Sequence, residues 1–307
     1  MREPEMTQEL QAELHQGVLV RFFGGFYVAA DADGQEYTLR CPKKFRHQRL
    51  SPLVGDAVRF TPGQGEEEGW LVEILPRKTE CIRPPGANVT LLLVSICPSP
   101  EPDLLLVDRL LARAKKQGMK TALIVGKCDL DGGKLLVQMQ EEYRGADCPV
   151  LGVSARNKEG LDSVRALMRG ADCCCLAGQS GVGKSTLLNA LLDLQLETGE
   201  ISEKIQRGKN TTRYAQLLIH DGIRVLDTAG FSLLETEKGM EPEKLQELYP
   251  EFQPYIGQCR FQPCLHDREP GCAVTQAVQA GKIDGNRVER YRELLADVRL
   301  AWKNRYQ

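Results

Sequence analysis

Two groups of residues have types and spacings suited to chemistry. The first is Gly178-Gln179-Ser180-Gly181-Val182-Gly183-Lys184-Ser185-Thr186. Its Gly-x4-Gly-Lys-Ser pattern is that of a phosphate-cradling loop, the Walker A pattern. The glycines let backbone N–H groups turn inward around phosphate oxygens, and the helix expected next points its positive end at them. Lys184 would supply a point charge to the outer phosphates, and the Ser185 hydroxyl a ligand for Mg2+. The second group is Cys259-x4-Cys264-x-His266-x5-Cys272. Three thiolates and one imidazole form a full tetrahedral set for a structural Zn2+, with no position left open for catalysis. The spacing is not that of the two-Cys, two-His finger, so buried thiols without metal stay open as the alternative.

A phosphate loop does not choose a base. Gly126-Lys127-Cys128-Asp129 closes the apolar run TALIV, where guanine-reading proteins carry Asn-Lys-x-Asp. Asp129 would accept from guanine N1–H and N2–H2. Adenine lacks both donors and would leave a carboxylate unpaired. The Lys127 stem would pack over the sugar and base. Gly126 departs from the pattern, because Asn there ties the loop to the phosphate loop; affinity should fall while the guanine preference survives. Ser154-Ala155, at the end of a later strand, matches the element whose amide meets guanine O6.

Two further elements complete the set. GKNTTR, residues 208–213, resembles a first switch loop with Thr212 or Thr211 as a second Mg2+ hydroxyl ligand. LDTAG, residues 226–230, offers Asp227 as a Walker B carboxylate and the Gly230 N–H towards the γ-phosphate. The order is base, base, phosphate, switch, switch, which reads as a circularly permuted GTPase. Domain termini lie close together at the surface, so permutation can leave the geometry of a site intact. It also makes the second switch the exit towards the C-terminal segment, which is expected to feel the nucleotide state.

These residues need a scaffold, and the pattern supplies one. Short β-rich runs fill residues 17–75, broken by Gly24-Gly25 and Asp33-Gly34. About five strands of this kind suggest a small barrel, with an oligonucleotide-binding (OB) barrel as a candidate. Between them, RCPKKFRHQR carries Arg40, Lys43, Lys44, Arg46 and Arg49 with no acid. This is either a solvated loop or a phosphate-contacting loop on a nucleic-acid-binding barrel. From residue 90, apolar runs alternate with helix-spaced leucines, the mark of a doubly wound parallel sheet. Helices are expected within 102–118, near 134–144 and 160–169, and over 184–194, and an amphipathic one over 285–302. The expected fold is α/β in three parts: a tail and OB-type barrel (1–83), a permuted P-loop GTPase domain (84–238) and a small α-rich zinc-binding domain (239–307).

Bulk properties exclude other classes. A net charge of −2 gives no global sign of nucleic-acid binding, so any basic surface is local. No apolar run reaches the roughly 20 residues of a membrane span, and the N-terminus has no signal-peptide core. The 11 cysteines are an odd number, and Cys173-Cys174-Cys175 reads as strand packing in a reducing compartment. A cytoplasmic location is expected.

At this point the chain resembles the bacterial ribosome small subunit-dependent GTPase A (RsgA) family. The resemblance rests on GGFY, SPLVGD, ILPRK with RPP-x-ANV, GQSGVGKST, GEIS-x-KI-x-RG and GQCRFQPCLH with EPGCAV. It implies the three-part architecture, one zinc ion on Cys259, Cys264, His266 and Cys272, and Mg2+ with GTP. It also implies action on the 30S subunit and its 16S rRNA during late maturation, with GTP hydrolysis stimulated by that subunit. A monomer is expected. The family often carries His just before its switch Thr-Thr, where it is a candidate for orienting the attacking water; Asn210 stands there in this chain. Phe231 follows Asp-x-x-Gly in place of a water-positioning Gln, so intrinsic turnover should be slow, about 10⁻⁴ to 10⁻² s⁻¹. A rival of another class is a non-hydrolysing RNA-binding assembly scaffold, which Gly126 and Asn210 keep open. A third is a P-loop kinase or ATPase.

Overall fold

The computed structural model of the chain describes residues 14–43, 45, 50–63, 65, 67–81, 85–194, 215–228 and 240–305. Strands β1 (His15–Phe23), β2 (Phe26–Ala30), β3 (Glu36–Arg40), β4 (Ala57–Thr61) and β5 (Gly69–Ile74) come first, then the short pair β6 (Glu80–Cys81) and β7 (Gly86–Ala87). Strands and helices then alternate: β8 (Leu91–Ile96), α1 (Leu104–Lys116), β9 (Lys120–Val125), α2 (Lys134–Glu142), β10 (Val150–Gly152), α3 (Leu161–Arg169), β11 (Cys174–Ala177) and α4 (Lys184–Leu192). A hairpin follows, β12 (Ala215–His220) and β13 (Ile223–Thr228). Two short 3-10 helices, Pro242–Leu248 and Pro250–Tyr255, precede α5 (Ala273–Gln279) and α6 (Gly285–Lys303).

The described residues form two compact units. The first draws on 1–90, 168–175 and 199–230, the second on 91–167, 176–198 and 231–307. These units run across the boundaries at 83/84 and 238/239 that the sequence suggests. One reason is that β12 pairs antiparallel with β1, Arg21 opposite Gln216.

In the first unit β1 to β5 close into a barrel. The order is β1-β2-β3-β5-β4, and β4 returns to pair with β1. The β3–β5 pairing is parallel. This is the five-stranded closed topology of the OB barrel. Alternation sets its core: Leu19, Ala29, Leu39, Val58, Phe60 and Leu71 face inward and are buried. The expected Asp33-Gly34 turn forms, with Gly34 at φ 83°. Asp31 steadies it by accepting from the Asp33 and Gln35 N–H at 3.0 and 2.9 Å. Where the chain leaves the barrel, buried Asp56 takes Arg77 bidentately at 2.7 and 2.8 Å and the Leu53 N–H at 2.7 Å. Also in this unit, β13 runs parallel beside the Cys174-Cys175 part of β11. Burial pushes the Cys174 thiol up to about 12, so the cysteine triplet is inert packing, as expected.

In the second unit β8, β9 and β10 are parallel, in register from Leu91 opposite Lys120 to Ile96 opposite Val125. All of β8 is buried, which is why it reads as an unbroken apolar run. β10 is shorter than its sequence suggests. After Gly152 the chain leaves the ladder, and Ser154 exchanges backbone bonds with Glu159 at 3.1 and 3.0 Å.

Helix α1 begins at Asp103, whose carboxylate accepts from the Leu106 N–H at 2.8 Å. It buries Val107, Leu110, Leu111 and Ala114, and with them Asp108. That carboxylate is fully buried and grips α6: Arg287 ion-pairs with it, and Arg290 does so at 2.6 Å. The Tyr143 hydroxyl donates to it at 2.8 Å. Glu251 takes Arg287 at 2.6 Å, and Glu142 takes Arg290. Burial raises the Glu142 carboxyl above its usual range, against the pull of Arg290. Around this network lies an apolar core of Leu245, Tyr249, Phe252, Val288, Tyr291 and Leu295.

Removing one member of a buried ion network leaves its partners charged and dry. Asp108→Ala is therefore expected to lower unfolding free energy by about 3–5 kcal/mol, measured by denaturant titration. Asp108→Asn, which keeps the volume, should cost a similar amount.

Candidate nucleotide cleft and cysteine–histidine centre

The phosphate loop lies between β11 and α4, with Gly178, Gly181 and Gly183 at φ 134°, 81° and 93°. A Cβ at Gly178 would stand 2.2 Å from the Ser95 carbonyl at the end of β8, so only glycine fits. Lys184 crosses the loop and donates to the Gly178 and Gln179 carbonyls at 2.9 and 2.8 Å. Burial draws its ammonium below the usual lysine range, and an anion brought here would favour its charged form. Ser180 is exposed, while Ser185 is half-buried on the first turn of α4 beside Thr186.

Gly126-Lys127-Cys128-Asp129 follows β9, and Ser154-Ala155 follows β10. The two meet through a bond from the Ser154 hydroxyl to Asp129 Oδ1 at 2.7 Å. That bond, first among the causes, holds the Asp129 carboxyl below its usual range. The buried Ser154 hydroxyl also accepts from the Asn157 N–H at 3.1 Å. Because the Ser154 N–H is committed to Glu159, the Ala155 N–H is the donor of the pair left for a base oxygen. Cys128 Sγ donates to the Val125 carbonyl at 3.1 Å, and burial pushes its thiol up.

Lys127 has a left-handed backbone, φ 55°, and spans the two loops. Its Nζ donates to the Ser99 carbonyl at 2.9 Å and the Gly181 carbonyl at 3.3 Å. The expected Asn tie at position 126 is absent, and Lys127 provides another. A Cβ at Gly126 would stand 3.5 Å from the Ile96 carbonyl and 4.0 Å from that of Val182, ordinary contact distances. Gly126, Lys127, Asp129, Ala155, Val182, Gly183 and Thr186 share one cleft of about 240 Å3. Arg156 and Leu130 line it too. The sequence reading did not single them out, although Arg156 directly follows the base-reading pair.

Asp227 lies on β13 in the first unit, opposite Gln216 of β12. Asn210, Thr211, Thr212, Gly230 and Phe231 lie outside the described residues, as do Lys44, Arg46 and Arg49. Arg40 ends β3, and Lys43 follows it in a turn.

Cys259, Cys264, His266 and Cys272 come together, all four buried, with their ligand atoms within 4.8 Å of one another. His266 Nδ1 stands 3.6, 3.6 and 3.4 Å from the sulfurs of Cys259, Cys264 and Cys272. Zinc bonds of about 2.3 Å to sulfur and 2.0–2.1 Å to nitrogen at a tetrahedral angle give a separation of about 3.5 Å. The donor set and its spacing therefore fit a zinc ion. The Ala273 N–H lies 3.2 Å from Cys259 Sγ and the His266 N–H 3.4 Å from Cys264 Sγ. The loop is anchored to α6: the Tyr291 hydroxyl donates to the Leu265 carbonyl at 2.8 Å, and Arg292 to that of His266 at 3.3 Å.

Comparison with known proteins agrees with this arrangement. The RsgA N-terminal domain matches residues 16–71, and the RsgA GTPase domain residues 74–237. A protein of Geobacillus thermodenitrificans named small ribosomal subunit biogenesis GTPase RsgA is 41% identical over 289 residues, covering 92% of this chain and 97% of its own. One of the same name from Moorella thermoacetica is 40% identical over 286 residues, covering 92% and 97%. Among solved structures, YjeQ from Thermotoga maritima superimposes with a TM-score of 0.80 at 32% identity, over 93% of this chain and 98% of that one. YloQ, described as a circularly permuted GTPase, gives 0.76 at 29% identity, over 96% and 98%. With both matched domains in order, and relatives this similar over nearly its whole length, the chain belongs to the RsgA family of circularly permuted GTPases.

Proposed function

We propose that this GTPase binds the small ribosomal subunit through its 16S rRNA and hydrolyses GTP to GDP and phosphate during late subunit maturation, with hydrolysis stimulated by the subunit. The observation that carries the guanine part is the Asp129–Ser154 pair in one cleft with the phosphate loop. The ribosomal part rests on the names of the relatives, small ribosomal subunit biogenesis GTPases. The chain acts in the cytoplasm as a monomer, and no described helix is long and apolar enough to cross a membrane. Its working parts are the barrel (1–83), the GTPase domain (84–238) and the C-terminal domain (239–307).

Asp129 accepts from the guanine N1–H and N2–H2, and the Ala155 N–H donates to O6. Lys127 holds the base-reading loop against the phosphate loop, with the stem of Arg156 and Leu130 at the rim. Amides of residues 178–186 ring the phosphates, while Lys184 turns from its two loop carbonyls to the β- and γ-oxygens. Ser185 would hold Mg2+, with Thr212 and Asp227 as its further candidate ligands, and the ion would offset charge on the outer phosphates. Gly230 would offer its N–H to the γ-phosphate. Asn210 orients the attacking water weakly, and the ribosomal subunit completes that task. Cys259, Cys264, His266 and Cys272 would hold Zn2+, which would cross-link the loop between them. Arg40, Lys43, Lys44, Arg46 and Arg49 contact RNA phosphates.

Phosphate release should be slow alone, and rise at least tenfold with 30S subunits. Release that is unchanged by subunits would favour a scaffold, and competition of GTP by ATP at equal concentration would point to another nucleotide. Asn210→His should raise stimulated turnover and Asn210→Ala lower it. Gly126→Asn should fold normally and tighten GTP binding about 2- to 10-fold, the worth of one hydrogen bond, measured by titration calorimetry. Chelation should release the metal and abolish amide exchange protection over residues 259–280, and zinc should restore it.

A further inference from the structure

The outer face of the barrel carries a feature that phosphate contact does not explain. Leu39 and Leu71 face the core, so their neighbours Arg40 on β3 and Trp70 on β5 face outward. These two are direct register partners. On the adjoining strands, Phe26 of β2 pairs with Phe23 of β1. The Arg40 guanidinium lies 5.9 Å from the Phe26 ring centre and 6.0 Å from that of Trp70. Phe23 is 68% exposed and Trp70 44%. Single exposed aromatic side chains need no explanation, but here three lie in one row, the clustering that marks an interaction site. Four neighbouring strands about 4.8 Å apart make a row of about 14 Å. Glu68 lies beside it, pairing with Arg40 at 2.7 Å, so the row itself has little net charge.

We infer that Phe23, Phe26, Arg40 and Trp70 form a stacking platform for unpaired RNA bases. The inference rests on the proposed RNA-binding role of the barrel and names the form of RNA it takes. Aromatic rings flanking a guanidinium plane offer π-faces, and unpaired bases can lie on them whatever their sequence. A duplex keeps its base faces covered and presents phosphates instead. A row so nearly neutral has little to offer a duplex. Lys43, three residues after Arg40, is placed to meet the backbone of a strand lying on the row.

The chain has two tryptophans, so Trp302→Phe leaves Trp70 as the sole reporter. The test titrates that protein with an oligouridine and with an RNA duplex, each of about eight nucleotides per strand. The expected result is quenching of Trp70 emission by the single strand and not by the duplex. Separately, on the natural background, Trp70→Ala and Phe26→Ala should each weaken single-strand binding about 5- to 150-fold, as loss of one stacked base does. Trp70→Phe, which keeps a ring, should retain most of the affinity and so exclude misfolding as the cause. Equal affinity for both RNAs with unchanged Trp70 emission would overturn the platform and leave RNA binding by the barrel standing. Binding of neither RNA would overturn both.

Discussion

A carboxylate cut off from water sets the terms for the second unit. Asp108 could not stay charged in that core without Arg287 and Arg290, and they could not stay there without it. This mutual need fixes α1 against α6. At its N-terminus α1 meets the phosphate loop, where the Asp103 N–H donates to Gln179 Oε1 at 3.1 Å. Further along, α6 holds the cysteine–histidine loop through Tyr291 and Arg292. The phosphate loop and the cysteine–histidine loop are thus both tied to one helix pair. Hydrophobic packing alone would tolerate small slips between the two helices. Charged groups that must meet at hydrogen-bond distance do not.

The loops after β9 and β10 show a second constraint. Lys127, with its left-handed backbone, sends its ammonium to two carbonyls across the cleft. A single side chain does the holding that two residues share where Asn occupies position 126. The neighbouring Ser154 hydroxyl accepts from one amide and donates to one carboxylate, so its capacity is divided between shaping the loop and presenting Asp129.

Much of this was legible in the sequence because it follows from backbone needs. Gly178 and Gly183 announce a phosphate loop since both sit in the left-handed region, and at Gly178 a side chain would also strike the Ser95 carbonyl. The leucine spacing of α1 and the unbroken run of β8 report burial directly. The cysteine–histidine set was visible because its members lie close in sequence, though its spacing alone left buried thiols without metal as an alternative. The Asp108–Arg287 pair was not legible: the partners are 179 residues apart, and a lone acid in an amphipathic helix looks like an ordinary surface residue. The Lys127 tie was hidden for another reason. It depends on where the next loop's carbonyls point, which no side-chain pattern records. The aromatic row on the barrel was scattered over three runs and became a row only once strand pairing was known.

The pairing of β1 with β12 has a consequence for how such a protein can be divided. Sequence families part the chain between residues 71 and 74, yet the hydrogen-bonding rim of a barrel strand is joined to a hairpin more than 190 residues later. Separating the two pieces would uncover a strand edge on each, the kind of surface that invites self-association. The two matched stretches are here each other's cover, and solubility belongs to the pair.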